Sequence, residues 1–249
     1  MQISDLDLRI WRGDGAGGEL ISYRVPVREG MVVLDAVLWV QANLAPDLAV
    51  RWNCKAAKCG SCSAEIDGFP RLMCKSPIAE YGEQVTVRPM KAFPVLRDLV
   101  TDVKSNYVMA KKIPPFTPQP DAAWKWYQQD IDRVQEFRKC IQCFLCQDVC
   151  HVLREHNKHD VFAGPAFFVQ VAALEMHPID AVDRTPLLKG AAGVGFCNIT
   201  KCCTEVCPEH IKITDNAIIP LKERMDDVYF DPIRWALQRL GGGQKRGTR

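Results

Sequence analysis

Cys54, Cys59, Cys62 and Cys74 lie in RWNCKAAKCGSCSAEIDGFPRLMC with the spacing C-x4-C-x2-C-x11-C. Three thiolates on one loop and a fourth from a following strand form the ligand pattern of a plant-type [2Fe-2S] cluster. Gly60 lets the loop backbone curl close to its contents. The small residues Ala56, Ala57, Ser61 and Ser63 leave room for amide N–H groups to approach the sulfurs. Arg51, Lys55 and Lys58 would offset the negative cluster and raise its potential. Zinc is the competing chemistry, because Cys59-x2-Cys62 alone would make a zinc knuckle. Structural zinc more often takes two short cysteine pairs than a three-cysteine loop and one distant partner.

A second group, KCIQCFLCQDVCHV, places Cys140, Cys143, Cys146 and Cys150 at C-x2-C-x2-C-x3-C. In two-cluster bacterial ferredoxins such a run gives three ligands to one cluster and its fourth to the other, so a second run is required. Counting back from Cys207-Pro208 with the same spacing gives Cys203, then Thr200, then Cys197. Of the adjacent pair Cys202–Cys203, only Cys203 is in phase. Crosswise ligation then predicts Cys140, Cys143, Cys146 and Cys207 around a [4Fe-4S] cluster. Cys150, Cys197 and Cys203 would hold a cluster with one corner free, which suits [3Fe-4S]. Eleven of the twelve cysteines are thereby used. A competing reading has Cys202, or Thr200, completing a second [4Fe-4S].

The elements that must hold these groups fall into two halves. Leu6, Leu8 and Ile10 alternate with Asp7 and Arg9, and Ile21, Tyr23, Val25 and Val27 alternate with polar neighbours, the period of half-buried strands. Between them GDGAGG matches G-x-G-x-x-G, but a strand follows rather than a helix, so it is a hairpin loop. Leu34, Val37, Leu38 and Leu44 share a helical face in 31–45, and SCSAEIDG and VTVRP are further strands. KKIPPFTPQPD, 111–121, is a proline-rich connector. After it Trp124, Tyr127, Ile131 and Val134 recur at helical spacing, Pro165 opens a helix, and DPIRWALQRL is a last helix. The fold class is α+β. A plant-type ferredoxin-like β-grasp domain spans 1–108, an all-helical domain like two-cluster bacterial ferredoxins spans 109–240, and 241–249 is a flexible tail.

Composition narrows the function. Formal net charge is +2, which argues against nucleic acid as a partner. The N-terminus has neither a secretory nor a transit pattern, which argues for a reducing compartment and against a disulfide framework. The most apolar stretch, 161–174, is broken by Gly164, Pro165 and Gln170 and is shorter than the roughly 20 residues of a membrane span. No nucleophile–base pair or phosphate loop stands out. Three clusters of different type in one chain describe an electron relay. A free carrier needs fewer, and a zinc-stapled interaction module is the alternative of another class.

RWNCKAAKCGSC followed by CIQCFLCQDVC and CNITKCCTEVCP resembles the iron–sulfur subunits of succinate dehydrogenase and fumarate reductase over nearly the whole chain. The resemblance implies a relay from a flavoprotein subunit with covalent FAD, through [2Fe-2S], [4Fe-4S] and [3Fe-4S], to quinone at a membrane anchor, often with haem b. The dicarboxylate chemistry would lie on the flavoprotein, so no catalytic residue is expected here. It implies a peripheral protein on the cytoplasmic face of a bacterial inner membrane. Ubiquinone-type members carry Pro after the fourth cysteine of the first run and Trp four and five residues beyond it. This chain has His151, Arg154 and Glu155 there, and Asn198 where they have His. His151 and Asn198 mark the expected quinone vicinity. The departures resemble the branch with a single five-helix, two-haem anchor, often working with menaquinone.

Overall fold

The computed structural model describes residues 5–123 and 125–232. The expected helix over 231–240, the 241–249 tail and Trp124 lie wholly or mostly outside them.

The N-terminal half is built on strands β1 (Asp5–Asp14), β2 (Gly17–Pro26), β3 (Ser63–Ile66), β4 (Phe69–Leu72) and β5 (Gln84–Arg88). Their order is β2-β1-β5-β3-β4, with β1 and β5 parallel and the other pairs antiparallel. GDGAGG is the hairpin turn: Asp14 pairs with Gly17, leaving Gly15 and Ala16 at the tip. Alternation puts Leu6, Leu8 and Ile10 wholly inside. Helix α1 (Val33–Asn43) covers that face with Leu34, Val37 and Val40. Asp35 in its first turn accepts the Val32 N–H at 3.2 Å. The helical-face expectation fails at its end: Leu44 lies beyond α1 and is 50% exposed, while Ala36 and Val40 take the inner face.

A short hairpin, β6 (Val95–Arg97) and β7 (Val100–Thr101), leads to α2 (Lys104–Ala110). Sequence periodicity missed this hairpin because its strands are too short to alternate. Packing passes from one core to the other before the proline connector, since Met90, Ala92 and Phe93 already belong to the helical core. Helix α2 packs on α6 (Pro165–Glu175), and Tyr107 stacks edge-on against Phe144 at 5.6 Å.

The second half contains α3 (Gln128–Gln135), α4 (Leu145–Asp148), α5 (His151–Arg154), α6, α7 (Thr185–Lys189), α8 (Cys202–Glu205) and α9 (Ile219–Tyr229). Pro165 opens α6 after Gly164 at φ 84°. Phe167, Phe168, Val171 and Ala172 are buried, so this apolar stretch is core. Tyr127 does not share the inner face of α3; it precedes the helix and is 82% exposed, whereas Val134 is buried. The connector is stitched down by Arg184, wholly buried, whose guanidinium donates to the carbonyls of Pro114 (3.0 Å) and Pro115 (3.1 Å) and pairs with Asp180 (2.8 Å). Among the described residues, no helix is long and apolar enough to cross a membrane.

Candidate metal centres

The first loop folds around its thiols because Lys55, Ala57 and Gly60 all have positive φ. That turns amides inward: Ala56 and Lys58 N–H groups each reach Cys54 Sγ at 3.3 Å, and Cys54 N–H reaches Cys59 Sγ at 3.5 Å. For Cys59, desolvation is outweighed by the Ser61 hydroxyl and by amides of Cys54 and Ser61, which bring the thiol down to about 6. Burial, then repulsion from Cys74 and Cys59, pushes Cys62 up to about 12. Cys54, Cys59, Cys62 and Cys74 are thus one neighbourhood. The basic residues do not all stand free beside it. Lys58 pairs with Glu209 (3.2 Å), Lys55 lies 3.8 Å from Asp35, and Arg51 reaches the Thr101 carbonyl at 3.5 Å. Their charge is shared with these partners, which reduces the lift in potential expected from sequence.

The two later runs take the same backbone shape. In the first, Gln142 and Phe144 have φ of 53° and 61°, and α4 follows; in the second, Ile199 and Lys201 have φ of 61° and 64°, and α8 follows. Matching these turns aligns Thr200 with Cys143, Cys202 with Leu145 and Cys203 with Cys146, the same register as the sequence count.

Cys140, Cys143, Cys146 and Cys207 line one cavity, together with Ile141, Phe144 and Ile211. Cys150, Cys197, Cys202 and Cys203 line another, with His151, Asn198 and Thr200. Burial raises Cys140, opposed by the Gln142 amide and reinforced by Cys207. It pushes Cys143 up to about 12 against the Leu145 amide, with Cys140 and Cys207 adding to it. Cys146 is pushed well up by burial, then by Cys143, Cys140, Cys203 and Cys207. Helix α4, which carries Cys146, packs on α8, which carries Cys203, so the two cavities adjoin. Burial takes Cys150 to about 11, against the Leu153 and Val152 amides that open α5, and Cys203 to about 12, against the Thr214 hydroxyl. Thiols that cannot ionise alone inside protein do so once iron takes their charge. In each cavity sulfur ligands and inward amides surround apolar walls, a donor set that fits an iron–sulfur cluster. Among the described residues, no three His, Cys, Asp or Glu side chains form a single-ion site.

Several contacts escaped sequence reasoning. Gly60 lies against Cys143, and Ser63 Oγ donates to the Cys143 carbonyl at 2.8 Å. Lys75 Nζ donates to the Pro208 carbonyl at 3.1 Å, so Lys58, Lys75 and Ser63 clasp the segments carrying the second group. Arg154 pairs with Glu65 of β3 and approaches Asp148. His151 Nε2 and Asn198 Nδ2 lie 2.6 Å apart, so the two positions that depart from the ubiquinone-type pattern meet at the rim of the third cavity. Arg154, His151 and Asn198 stood out in the sequence as departures from the ubiquinone-type pattern, but their contacts did not. The others join segments far apart in the chain. His156 and His159 are exposed, in turns after α5.

A family described as "2Fe-2S iron-sulfur cluster binding domain" matches residues 7–108, and one described as "4Fe-4S dicluster domain" matches 136–211. The fumarate reductase iron-sulfur subunit of Mycobacterium tuberculosis is 31% identical over 199 residues, 76% of this chain and 79% of that protein. The succinate dehydrogenase iron-sulfur subunit of Bacillus subtilis is 27% identical over 214 residues, 77% of this chain and 81% of that protein. A chain of the Mycobacterium smegmatis Sdh1 complex in the apo form superposes with a TM-score of 0.89 at 58% identity, covering 93% of this chain and 99% of that one.

Proposed function

Because the chain belongs to the family of succinate dehydrogenase and fumarate reductase iron–sulfur subunits, we propose that it relays electrons from succinate to a quinone. The electrons come from an FAD-containing flavoprotein subunit. They leave through a membrane anchor, on the cytoplasmic face of a bacterial inner membrane, with quinone or a haem in that subunit as acceptor. Cys54, Cys59, Cys62 and Cys74 hold [2Fe-2S]. Cys140, Cys143, Cys146 and Cys207 hold [4Fe-4S]. Cys150, Cys197 and Cys203 hold [3Fe-4S]. When bound, these clusters accept and release single electrons. The protein supplies spacing, charge and exclusion of water.

One observation carries the reading: the three thiol groups form a continuous series. The first loop touches Cys143 through Gly60, and α4 with Cys146 packs on α8 with Cys203. The ends of the series are open to partners. Trp52 beside the first loop is 42% exposed, and Phe196 and Ile199 beside the third cavity are 51% and 39% exposed. His151 and Asn198 line that last cavity, where a quinone or anchor group would approach. The same relay run backwards would serve a quinol:fumarate reductase, and the more rapid direction in the assembled complex separates the two.

The test is electron paramagnetic resonance on the isolated complex, oxidised and then dithionite-reduced, with metal analysis. A [3Fe-4S] signal when oxidised, [2Fe-2S] and [4Fe-4S] signals on reduction, and about nine irons per chain are expected. A silent, zinc-rich sample handled without oxygen would replace the relay by a zinc-stapled module.

A further inference from the structure

Cys202 is the cysteine that the register leaves over, yet its surroundings are those of a ligand. It lines the same cavity as Cys150, Cys197 and Cys203. Thr200 occupies the position equivalent to Cys143, where the second run lacks a thiol. Cys202 Sγ lies 3.3 Å from the Thr200 hydroxyl, so a sulfur stands beside the vacant ligand position although it is supplied from two residues along. The αL turn at Lys201 makes this reach available by placing Cys202 at the very start of α8. Cys202 also faces outward. It lines a groove of about 380 Å³ between the two halves, with Lys75, Val149 and Val206. Leu145, its equivalent in the first run, lines that groove but not the cavity of its own thiol group. Cys202 therefore stands between the third cavity and the solvent-facing groove, where a dissolved metal ion can meet it.

We propose that Cys202 is an adjustable fourth ligand of the third site, which captures ferrous iron when the cluster is reduced and converts [3Fe-4S] into [4Fe-4S]. This rests on the three-cluster reading above and deepens it. The step balances as follows. One electron takes the [3Fe-4S] core from +1 to 0, Fe(II) adds to the open corner, and the Cys202 thiol loses its proton as its sulfur bonds the new iron. The product core carries +2. The electron comes from the relay itself or from dithionite.

The experiment uses the intact complex, reduced with dithionite without oxygen, exposed to 57Fe(II), desalted and reoxidised mildly. In the wild type, the oxidised [3Fe-4S] signal is expected to fall and a single 57Fe to remain per chain by Mössbauer spectroscopy and metal analysis. Cys202→Ser should keep the [3Fe-4S] signal and retain no added iron, with its other two cluster signals intact. Thr200→Ala should behave as the wild type. Retention of 57Fe by Cys202→Ser, or no uptake by the wild type, overturns the proposal. Loss of uptake only in Thr200→Ala overturns it in favour of the Thr200 hydroxyl. Absence of a [3Fe-4S] signal in the untreated oxidised complex is a different failure, that of the underlying cluster assignment.

Discussion

Replacing Gly60 with alanine is expected to destabilise the protein by about 2–5 kcal/mol and to slow electron transfer between the first two clusters, while each still assembles. Two costs add: the left-handed backbone disfavours a side chain, and a close-packed contact is overfilled. Gly60 has φ of 65°, and a Cβ built there would stand 2.7 Å from Cys143 Cα and 2.9 Å from its N and Cβ. Two of those three atoms are backbone and cannot rotate aside. Relief requires the first loop to move away from Cys143, which also strains the Ser63 hydrogen bond to the Cys143 carbonyl. Gly68 is the control. It has φ of 81° but nothing within 4 Å of its Cβ position, so Gly68→Ala pays for backbone strain alone. Denaturation midpoints of the two variants separate strain from contact. Freeze-quench spectroscopy of the reduced complex follows reoxidation of the first cluster. Equal behaviour of the two variants would show that the Gly60–Cys143 approach is incidental to both stability and transfer.

Arg154→Met is expected to cost about 3–5 kcal/mol, the range for removing one partner of a buried ion pair. Arg154 stands between carboxylates from both halves. Glu65 comes from β3 and Asp148 from α4, and their side chains are 5% and 0% exposed. Asp148 also accepts the Ala92 N–H at 2.9 Å, so three separate segments meet on this guanidinium and its partners. Burial, then repulsion from Glu65, pushes Asp148 up to about 7 against the opposing pull of the Ala92 amide and Arg154. A carboxyl whose folded value lies above its unfolded one favours the folded state most below the unfolded value, and that advantage is lost as pH rises through the folded value. Arg154→Met removes a pull that lowers Asp148 and so raises its folded value above about 7; the penalty should stay level up to about pH 7 and grow above it, where only the wild type has ionised this carboxyl. The double variant Arg154→Met, Glu65→Met should recover much of the loss, because an apolar pair leaves one fewer bare carboxylate. Denaturant titration of both single variants and the double variant at pH 5 and pH 8 measures this. A single-variant cost below about 1 kcal/mol would place Arg154 among exposed pairs of little worth.

What was legible in the sequence depended on residues close together in the chain. Leu6, Leu8 and Ile10 declared an inner face because a strand alternates sides at each residue. GDGAGG declared a hairpin because another strand follows it. The phase of Cys203 followed from Cys207 because both runs turn through the same short left-handed steps, and a turn of that kind is set by a few consecutive residues. The exposed Leu44 and Tyr127 were misplaced because periodicity does not say where a helix starts or stops.

Tertiary structure decided the rest. The pairing of Lys58 with Glu209, the meeting of Gly60 with Cys143, the hold of Arg154 on Glu65 and the contact of His151 with Asn198 each join segments tens of residues apart. No local pattern encodes them: the first three arise when the two cores pack together, and the His151–Asn198 contact when the second half folds on itself. Cys202 shows the division most directly: by itself the sequence determined that it is out of phase with the ligand spacing, and only the folded chain decided which thiols and which hydroxyl it faces. Spacing is a property of one segment, whereas the surroundings of a side chain are made by every segment packed against it.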